Sequence, residues 1–313
     1  MRRERAARQL LTAPARDGAA VVERLLAVQA QDPRAARLAL RARSREPVAG
    51  TEELVRGWLL RGTLHLVSRE DYPWLLGLTA PMRLSASARR LGQLGVSAAG
   101  ADRAVGVIVA ALADQGPLSR DALAELMGTE GQATPHLLGL AALRGRIVLV
   151  DERFALARDV LGSEPPTELT GEDRDIALGE LARRYLAGHA PATDADLAHW
   201  SGLGLRDARA GLALAGRAVP VVAAPVAPRL LGAFDPWLLG WRSREHAVPA
   251  AHGRTVHPGG GMVRAVATAD GVAVGTWTLP QGVVALEPFA PLEPAVAHAL
   301  ERDAADVERF LAA

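Results

Sequence analysis

The sequence predicts an α+β protein, mainly helical, built from three tandem winged-helix units and a small β-rich C-terminal segment closed by a helix. Three observations carry that prediction: a proline-then-cap punctuation repeated at residues 116–119 and 190–193, a pair of short helical runs after each copy, and a change to alternating patterns beyond Val219. With 313 residues the chain is long enough for two or three separate cores.

Apolar spacing predicts helices at about 5–12, 18–28 and 33–42, the last opened by Asp32 as cap with Pro33 in its first turn. Leu54 to Leu60 reads as a further helix, ending in Arg61-Gly62-Thr63-Leu64 and passing into a strand through Val67. These elements make an extended first unit over residues 1–100. The second unit, 101–165, begins with a helix at 103–114. After Gly116-Pro117-Leu118-Ser119 come a helix from Arg120 to Met127, stopped by Gly128, and another from the cap Thr134 and Pro135 through Leu143. Ile147 to Val150 and Arg153 to Leu156, separated by Asp151-Glu152, form a hairpin: three helices and a wing. The third unit, 166–222, repeats the order with helices at 172–187, 194–200 and 205–214. Its Leu214-Ala215-Gly216-Arg217-Ala218-Val219 echoes Leu143 to Val148 and places a second wing there. In the final segment, 223–313, Gly261 to Thr268 and Val272 to Trp277 flank Asp270-Gly271 as a hairpin, and a helix over about 293–311 closes the chain.

Every one of the 36 basic residues is Arg, and the formal net charge is only +1, so any nucleic-acid surface is a local arrangement of charge. Lysine, asparagine and cysteine are absent. Disulfides, Cys-ligated zinc and Cys-held iron–sulfur clusters are thereby excluded, and no side-chain amine exists to form a Schiff base. No HExxH, P-loop or dinucleotide fingerprint occurs, and no cofactor or metal is expected. The basic N-terminus lacks the apolar run of a secretory signal, and no stretch reaches the ~18 apolar residues that span a bilayer. The expectation is a soluble, cytoplasmic monomer.

Gln29-Ala30-Gln31 stands between an apolar helix and the Asp32-Pro33 helix start. Positions two apart diverge by about 200° on a helix, so both carboxamides face one pocket only if the backbone there is extended. The alternative is a pair of inter-helix residues bonding to backbone. Asp32 suits a cap, accepting from the first amides of the helix, although a carboxylate beside a developing cation would also use it. Arg34, Arg37 and Arg41 fall on one helix face and Arg43 follows, either as phosphate contacts or as a solvated face. Arg61, Thr63 and His65 alternate, sharing one side of a strand, either along a cleft or against a nucleic-acid backbone. Phe234 to Arg244 gathers two Trp, a Phe, Arg242 and Arg244 into eleven residues, either as a stacking and phosphate-binding surface or as a core at a domain junction. Gly259-Gly260-Gly261 lacks the Lys and Ser/Thr of a phosphate loop and precedes a strand.

Four segments in order, VQAQDPRAARLALRARS (28–44), LLRGTLHLVSREDYPWLL (59–76), FDPWLLGWRSR (234–244) and GGMVRAVATADGVAVGTW (260–277), resemble the AlkZ-like winged-helix DNA glycosylases of actinobacteria. The resemblance covers essentially the whole chain. It implies three tandem winged helices and a β-rich segment in a C-shaped molecule that binds double-stranded DNA and excises bulky alkylated purines. It also implies self-resistance to DNA-alkylating antibiotics. The family's catalytic Gln-apolar-Gln falls on Gln29, Ala30 and Gln31; a related branch carries Asp where this chain has Gln31. A β-hairpin that probes the duplex is implied too, either within 261–277 or in the wing at 147–156.

Two carboxamides suit such a reaction. A purine alkylated at N7 or N3 already carries positive charge and departs as a neutral base, so no general acid is needed. What remains is to hold a water near C1′ and stabilise the cationic sugar, which amide oxygens do by accepting hydrogen bonds. The expected activity is a monofunctional DNA glycosylase leaving an intact abasic site, possible substrates including interstrand crosslinks. The other function class compatible with the sequence is a non-enzymatic tandem winged-helix transcriptional regulator. Against it stand the low net charge and the lack of an evident dimerisation helix.

Overall fold

A computed structural model describes residues 1–312 as a mixed helix-and-sheet protein, about half helical. The first third contains α1 (Arg2–Arg8), β1 (Ala15–Asp17), α2 (Gly18–Leu25), β2 (Val28–Gln29), α3 (Pro33–Arg41), β3 (Ser44–Glu46), β4 (Leu54–Leu59), β5 (Thr63–Ser68) and α4 (Tyr72–Gln93). Next come α5 (Ala98–Gln115), α6 (Arg120–Met127), α7 (Ala133–Leu143), β6 (Ile147–Val150), β7 (Arg153–Leu156) and α8 (Ala157–Leu161). Three more helices follow: α9 (Gly171–His189), α10 (Asp194–Ser201) and α11 (Leu205–Ala215). The C-terminal part has β8 (Arg229–Leu231), α12 (Pro236–Leu239), α13 (Gly253–Val256), β9 (Val266–Ala269), β10 (Val272–Thr278), β11 (Ala285–Pro288) and α14 (Pro294–Ala312).

Local chemistry accounts for most of these boundaries. Ser119 caps α6 through Ala122 N, and Gly128 ends it in the left-handed conformation. Thr193 and Asp196 form a reciprocal capping box on α10, which Gly202 terminates. Asp151 and Glu152 both take positive φ, the primed turn that matches the twist of β6 and β7. Asp270 and Gly271 do the same between β9 and β10, although pairing begins at Val266 and not at Gly261.

Three sequence expectations change. Residues 54–59 form a strand, not a helix: β4 pairs with β5 along one edge and β6 along the other, and five of its six residues are buried, so no alternation shows in the sequence. The echo after α11 carries no second wing, because residues 216–228 run without strand pairing and leave Val219 and Val222 exposed. Thr134 lies inside α7, its hydroxyl bonded to Thr129 and not capping the helix.

A five-stranded sheet of order β2-β5-β4-β6-β7 ties the hairpin of the first segment to the hairpin that follows α7. A four-stranded sheet, β11-β10-β9-β8, forms the C-terminal part, and β1 pairs with β3 in parallel. The aromatic run at 234–244 resolves as a junction core: Trp237 and Trp241 are fully buried, donating indole N–H groups to Gly271 O (2.9 Å) and His189 O (2.9 Å). Arg43 and Asp235, both fully buried, form a two-pronged ion pair (2.6 and 2.9 Å) that locks the end of α3 to this junction.

Burial pushes His65 down to about 4, His189 to about 3 and His246 to about 4, against an ordinary value of 6.5. In the unfolded chain these rings take up protons below pH 6.5 that the native state refuses. Stability is therefore complete above that pH and falls as acid is added until the native rings titrate near pH 3 to 4. Between pH 7 and pH 5 each ring is expected to cost up to about 2 kcal/mol. Urea melts at the two values check this, and an equal or higher midpoint at pH 5 contradicts it.

Candidate functional site

After α2 the chain reverses at Leu26, which takes positive φ, and runs extended: Val28 pairs with Leu66, Gln29 with His65, and Ala30 N donates to Leu64 O at 2.8 Å. Val28 and Ala30 point into an apolar core with Val21 and Leu40. Gln29 therefore takes the opposite face of the strand, beside His65. β2 ends at Gln29, so the extended strand does not reach Gln31, which stands in the bend before α3. Asp32 then starts α3, its Oδ1 accepting from Arg34 N (2.9 Å) and Ala35 N (3.3 Å); its role is that of a cap.

Gln29 is nearly buried, and its Oε1 lies out of solvent with no protein partner. Gln31, two positions along, is exposed and forms part of the wall of a cavity of about 760 Å³. A buried acceptor without a donor is uncommon and costs stability, which makes this atom the unusual feature of the sheet edge. Its row continues across the sheet through His65 to Gly57, where a Cβ would fall 2.4 Å from the Tyr72 ring. Tyr72 Oη and Thr63 Oγ1 are also buried and unpartnered. Burial pushes the Tyr72 hydroxyl far up, so it stays protonated.

His65 is turned inward and does not form a phosphate contact. Its Nδ1 lies 2.9 Å from Thr63 O, and since a carbonyl only accepts, Nδ1 carries the proton and Nε2 keeps a lone pair. The arginines of α3 divide. Arg41 is buried against Asp303 and Asp306 of α14, whereas Arg37 stays exposed, its guanidinium over the Phe310 ring (4.9 Å) and donating to Phe310 O at 3.3 Å. Arg34 is exposed with no acidic partner among the described residues.

Arg61, in the β4–β5 turn, has a different setting. Arg83 of α4 lies across that turn, its Nε donating to Leu60 O at 3.1 Å. Gly202, at the end of α10, sits so close that a Cβ would be 2.3 Å from Arg83 Nη2 and 3.2 Å from Arg61 Cα. Arg244 is anchored through Nε to Leu238 O (2.9 Å) and acts on Arg61 electrostatically. His199 and His257 complete the group, each with a buried Nε2 lacking a partner. Burial first, then Arg61 and Arg244 for His199 and Arg244 for His257, lowers both imidazoles. None of Arg61, Arg83, Arg242 and Arg244 is in an ion pair among the described residues, so cations from three segments converge with Asp196, which accepts from Arg242 N at 3.0 Å, as the neighbouring acid, an excess of positive charge that suits an anion. Sequence reasoning found Arg61, Arg242 and Arg244 but missed Arg83, His199 and His257, which lie in helical or loop segments with no local signal.

At the tip of the β9–β10 hairpin Asp270 pairs with Arg3 (3.1 Å) and Arg2 (2.9 Å), contacts that take its carboxyl down to about 2. The exposed reversal of this region is Gly259–Met262. The wing tip carries exposed Glu152, paired with Arg56 at 2.9 Å. Among the described residues no helix is long and apolar enough to cross a membrane, and no acidic, His or Cys cluster has the makings of a metal site.

Helices followed by a hairpin, a group of arginines without ion pairs and a neutral carboxamide on a cavity wall suit a protein that works on nucleic acid. The chain belongs to the AlkZ-like DNA glycosylase family: the family described as "DNA glycosylase AlkZ-like" matches residues 22–310. A solved structure, the DNA glycosylase AlkZ of Streptomyces sahachiroi, shares the fold with a TM-score of 0.75 at 23% identity, over 99% of this chain and 95% of that one. An interstrand DNA cross-link repair glycosylase, also from Streptomyces sahachiroi, is 35% identical over 82 residues. That match spans 26% of this chain and only 22% of the relative's length.

Proposed function

We propose that this protein is a monofunctional DNA glycosylase that hydrolyses the N-glycosidic bond of cationic N7- or N3-alkylated purines in double-stranded DNA, bulky adducts and crosslinks included, and leaves an abasic site. The observation that carries the proposal is Gln29 Oε1, a buried acceptor without a donor, two positions before Gln31 on the cavity wall. In this reading Gln31 and Gln29 accept hydrogen bonds from the attacking water and orient it toward C1′, and their carbonyl dipoles stabilise charge on the sugar. Neither group acts as a strong base. A neutral, unmodified base stays in place because its departure lacks the intrinsic activation.

Arg61, Arg242 and Arg244, joined by Arg83 and the exposed Arg34, hold phosphates of the duplex, while Thr63 lends a hydroxyl at the cavity edge and His65 fixes the Thr63 backbone. The exposed reversal at Gly259–Met262 is the segment that meets the duplex near the lesion. We read residues 1–100, 101–165 and 166–222 as winged-helix units, the third without a wing, followed by a C-terminal unit over 223–313, in a C-shaped monomer acting in the cytoplasm. Since the chain contains no lysine, strand cleavage through a side-chain Schiff base is not expected. The test is incubation with a duplex carrying a single N7-methylguanine, scored for free base and for abasic sites. Free 7-methylguanine with an unbroken abasic strand is the expected result; unprocessed lesions of every alkylated kind overturn the proposal.

A further inference from the structure

A second concavity, sharing no residue with the one that holds Gln31, lies where α1, α2, α9 and the chain beyond α11 meet. We infer that it is a binding site for the terminal phosphate of a nucleotide, either free or at the end of a DNA strand. Its lining brings Arg8, Arg24, Arg183 and Arg217 together from four separate segments, with no acidic residue among them. The volume of about 550 Å³ suits a ligand of nucleotide size. The inference does not require the glycosylase reading.

Arg8 is the innermost of the four and the fixed charge of the site. Its side chain is buried, Nη2 donates to Val219 O (2.8 Å) and only marginally to Glu4 (3.5 Å), and Nε is left without an acceptor. A buried guanidinium so weakly compensated gains from an anion brought beside it. Arg183 is held by Glu180 (2.6 and 2.7 Å), whereas Arg24 and Arg217 are exposed and in no ion pair among the described residues. Two free guanidinium forks and a third, buried charge match the several oxygens of a phosphate dianion better than the two of a carboxylate. Leu186, Ala218 and Pro220 supply carbon between the arginines, against which a sugar or nucleobase packs.

The stretch where the sequence echo predicted a second wing thereby gains a use: unpaired with any strand and tied down by Arg8, it forms one wall of the site. A phosphodiester within a duplex, flanked by sugars on both sides, does not reach inward to Arg8 as a terminal phosphate does. On α9, Tyr185 and His189 stack on the face toward the aromatic junction, while Arg183, Leu186 and Ala187 line this site. The two sets lie on different sides of one helix.

The test is calorimetric titration of the full chain with deoxyadenosine monophosphate, with deoxyadenosine, and with tetrathymidylate carrying or lacking a 5′-phosphate. The wild type is expected to bind the phosphorylated ligands saturably and the unphosphorylated ones far more weakly. Arg24→Gln with Arg217→Gln removes two exposed side chains that make no hydrogen bond among the described residues, so the urea midpoint and 7-methylguanine release should stay as in the wild type. Affinity for the monophosphate should fall by about 10-fold or more, as two charge-assisted hydrogen bonds are lost. If the double variant melts early, each single variant reads the same contrast. Arg61→Gln, in the other cavity, should leave this affinity intact. Tight binding of the phosphorylated tetrathymidylate makes a strand end the ligand, and binding of the monophosphate alone makes it a free nucleotide; both support the site. No binding of either, equal binding of deoxyadenosine, unchanged affinity in the variants of Arg24 and Arg217, or a loss confined to Arg61→Gln overturns it.

Discussion

Replacing Gln29 and Gln31 together with alanine is expected to lower single-turnover release of 7-methylguanine by about 10²–10³-fold, the scale of one lost preorganised hydrogen-bonding group, since two groups acting on one water are not additive. Stability should hardly change. Gln31 is exposed, and Gln29 Oε1 is buried without a donor, so truncating it removes an unsatisfied acceptor while costing some packing. The same logic makes Gln29→Leu an informative companion: comparable or higher stability in urea, with the loss of rate retained. A side chain kept for the fold alone would behave in the opposite way. Release at wild-type rates by the double variant, or a melting point that collapses in Gln29→Leu, would remove these carboxamides from the mechanism.

Asp235→Ala is expected to destabilise the protein by about 3–5 kcal/mol, the largest effect on folding predicted for any single side chain here. The substitution leaves the Arg43 guanidinium fully buried with only Ala39 O (3.0 Å) and Gln9 Oε1 (3.3 Å) as acceptors, and it also removes the acceptor of Trp237 N. Replacing both partners by apolar residues, as in Arg43→Met with Asp235→Leu, should recover much of the loss, because no charge is then stranded. Urea denaturation of the three proteins measures it. A cost below about 1 kcal/mol for Asp235→Ala would mean that water reaches Arg43. The pair also matters for the site, since it fixes the end of α3, the helix that begins immediately after the Gln-Ala-Gln segment.

Much of the architecture was legible in the residues. Caps at Ser119 and Thr193, glycine stops at Gly128 and Gly202, and the turns Asp151-Glu152 and Asp270-Gly271 act through the backbone of their own few residues, so they can be read without knowing the neighbours. The Leu54–Leu59 strand could not be read in this way. Its apolar residues fit a helical stripe equally well, and only pairing with β5 and β6 on its two sides decides the matter. The missing second wing is the same lesson reversed: the sequence echo at 214–219 is real, yet no strand lies alongside to pair with it.

The candidate site divides likewise. The Gln-Ala-Gln segment, its Asp32-Pro33 helix start and the absence of lysine are properties of the chain, and under the proposed function they point to a leaving group that needs little help. Which arginines are neutralised depends on distant partners: Arg41 has the right helical spacing but meets Asp303 of α14, whereas Arg83 has no distinguishing context and lies by Arg61 where Gly202 approaches both. Local sequence determines hydrogen bonds a few residues long and the charges available. Only the tertiary structure decides which charges are neutralised, which acceptors are left without donors and where a cavity opens, because each depends on groups a hundred or more residues apart meeting within a few ångströms.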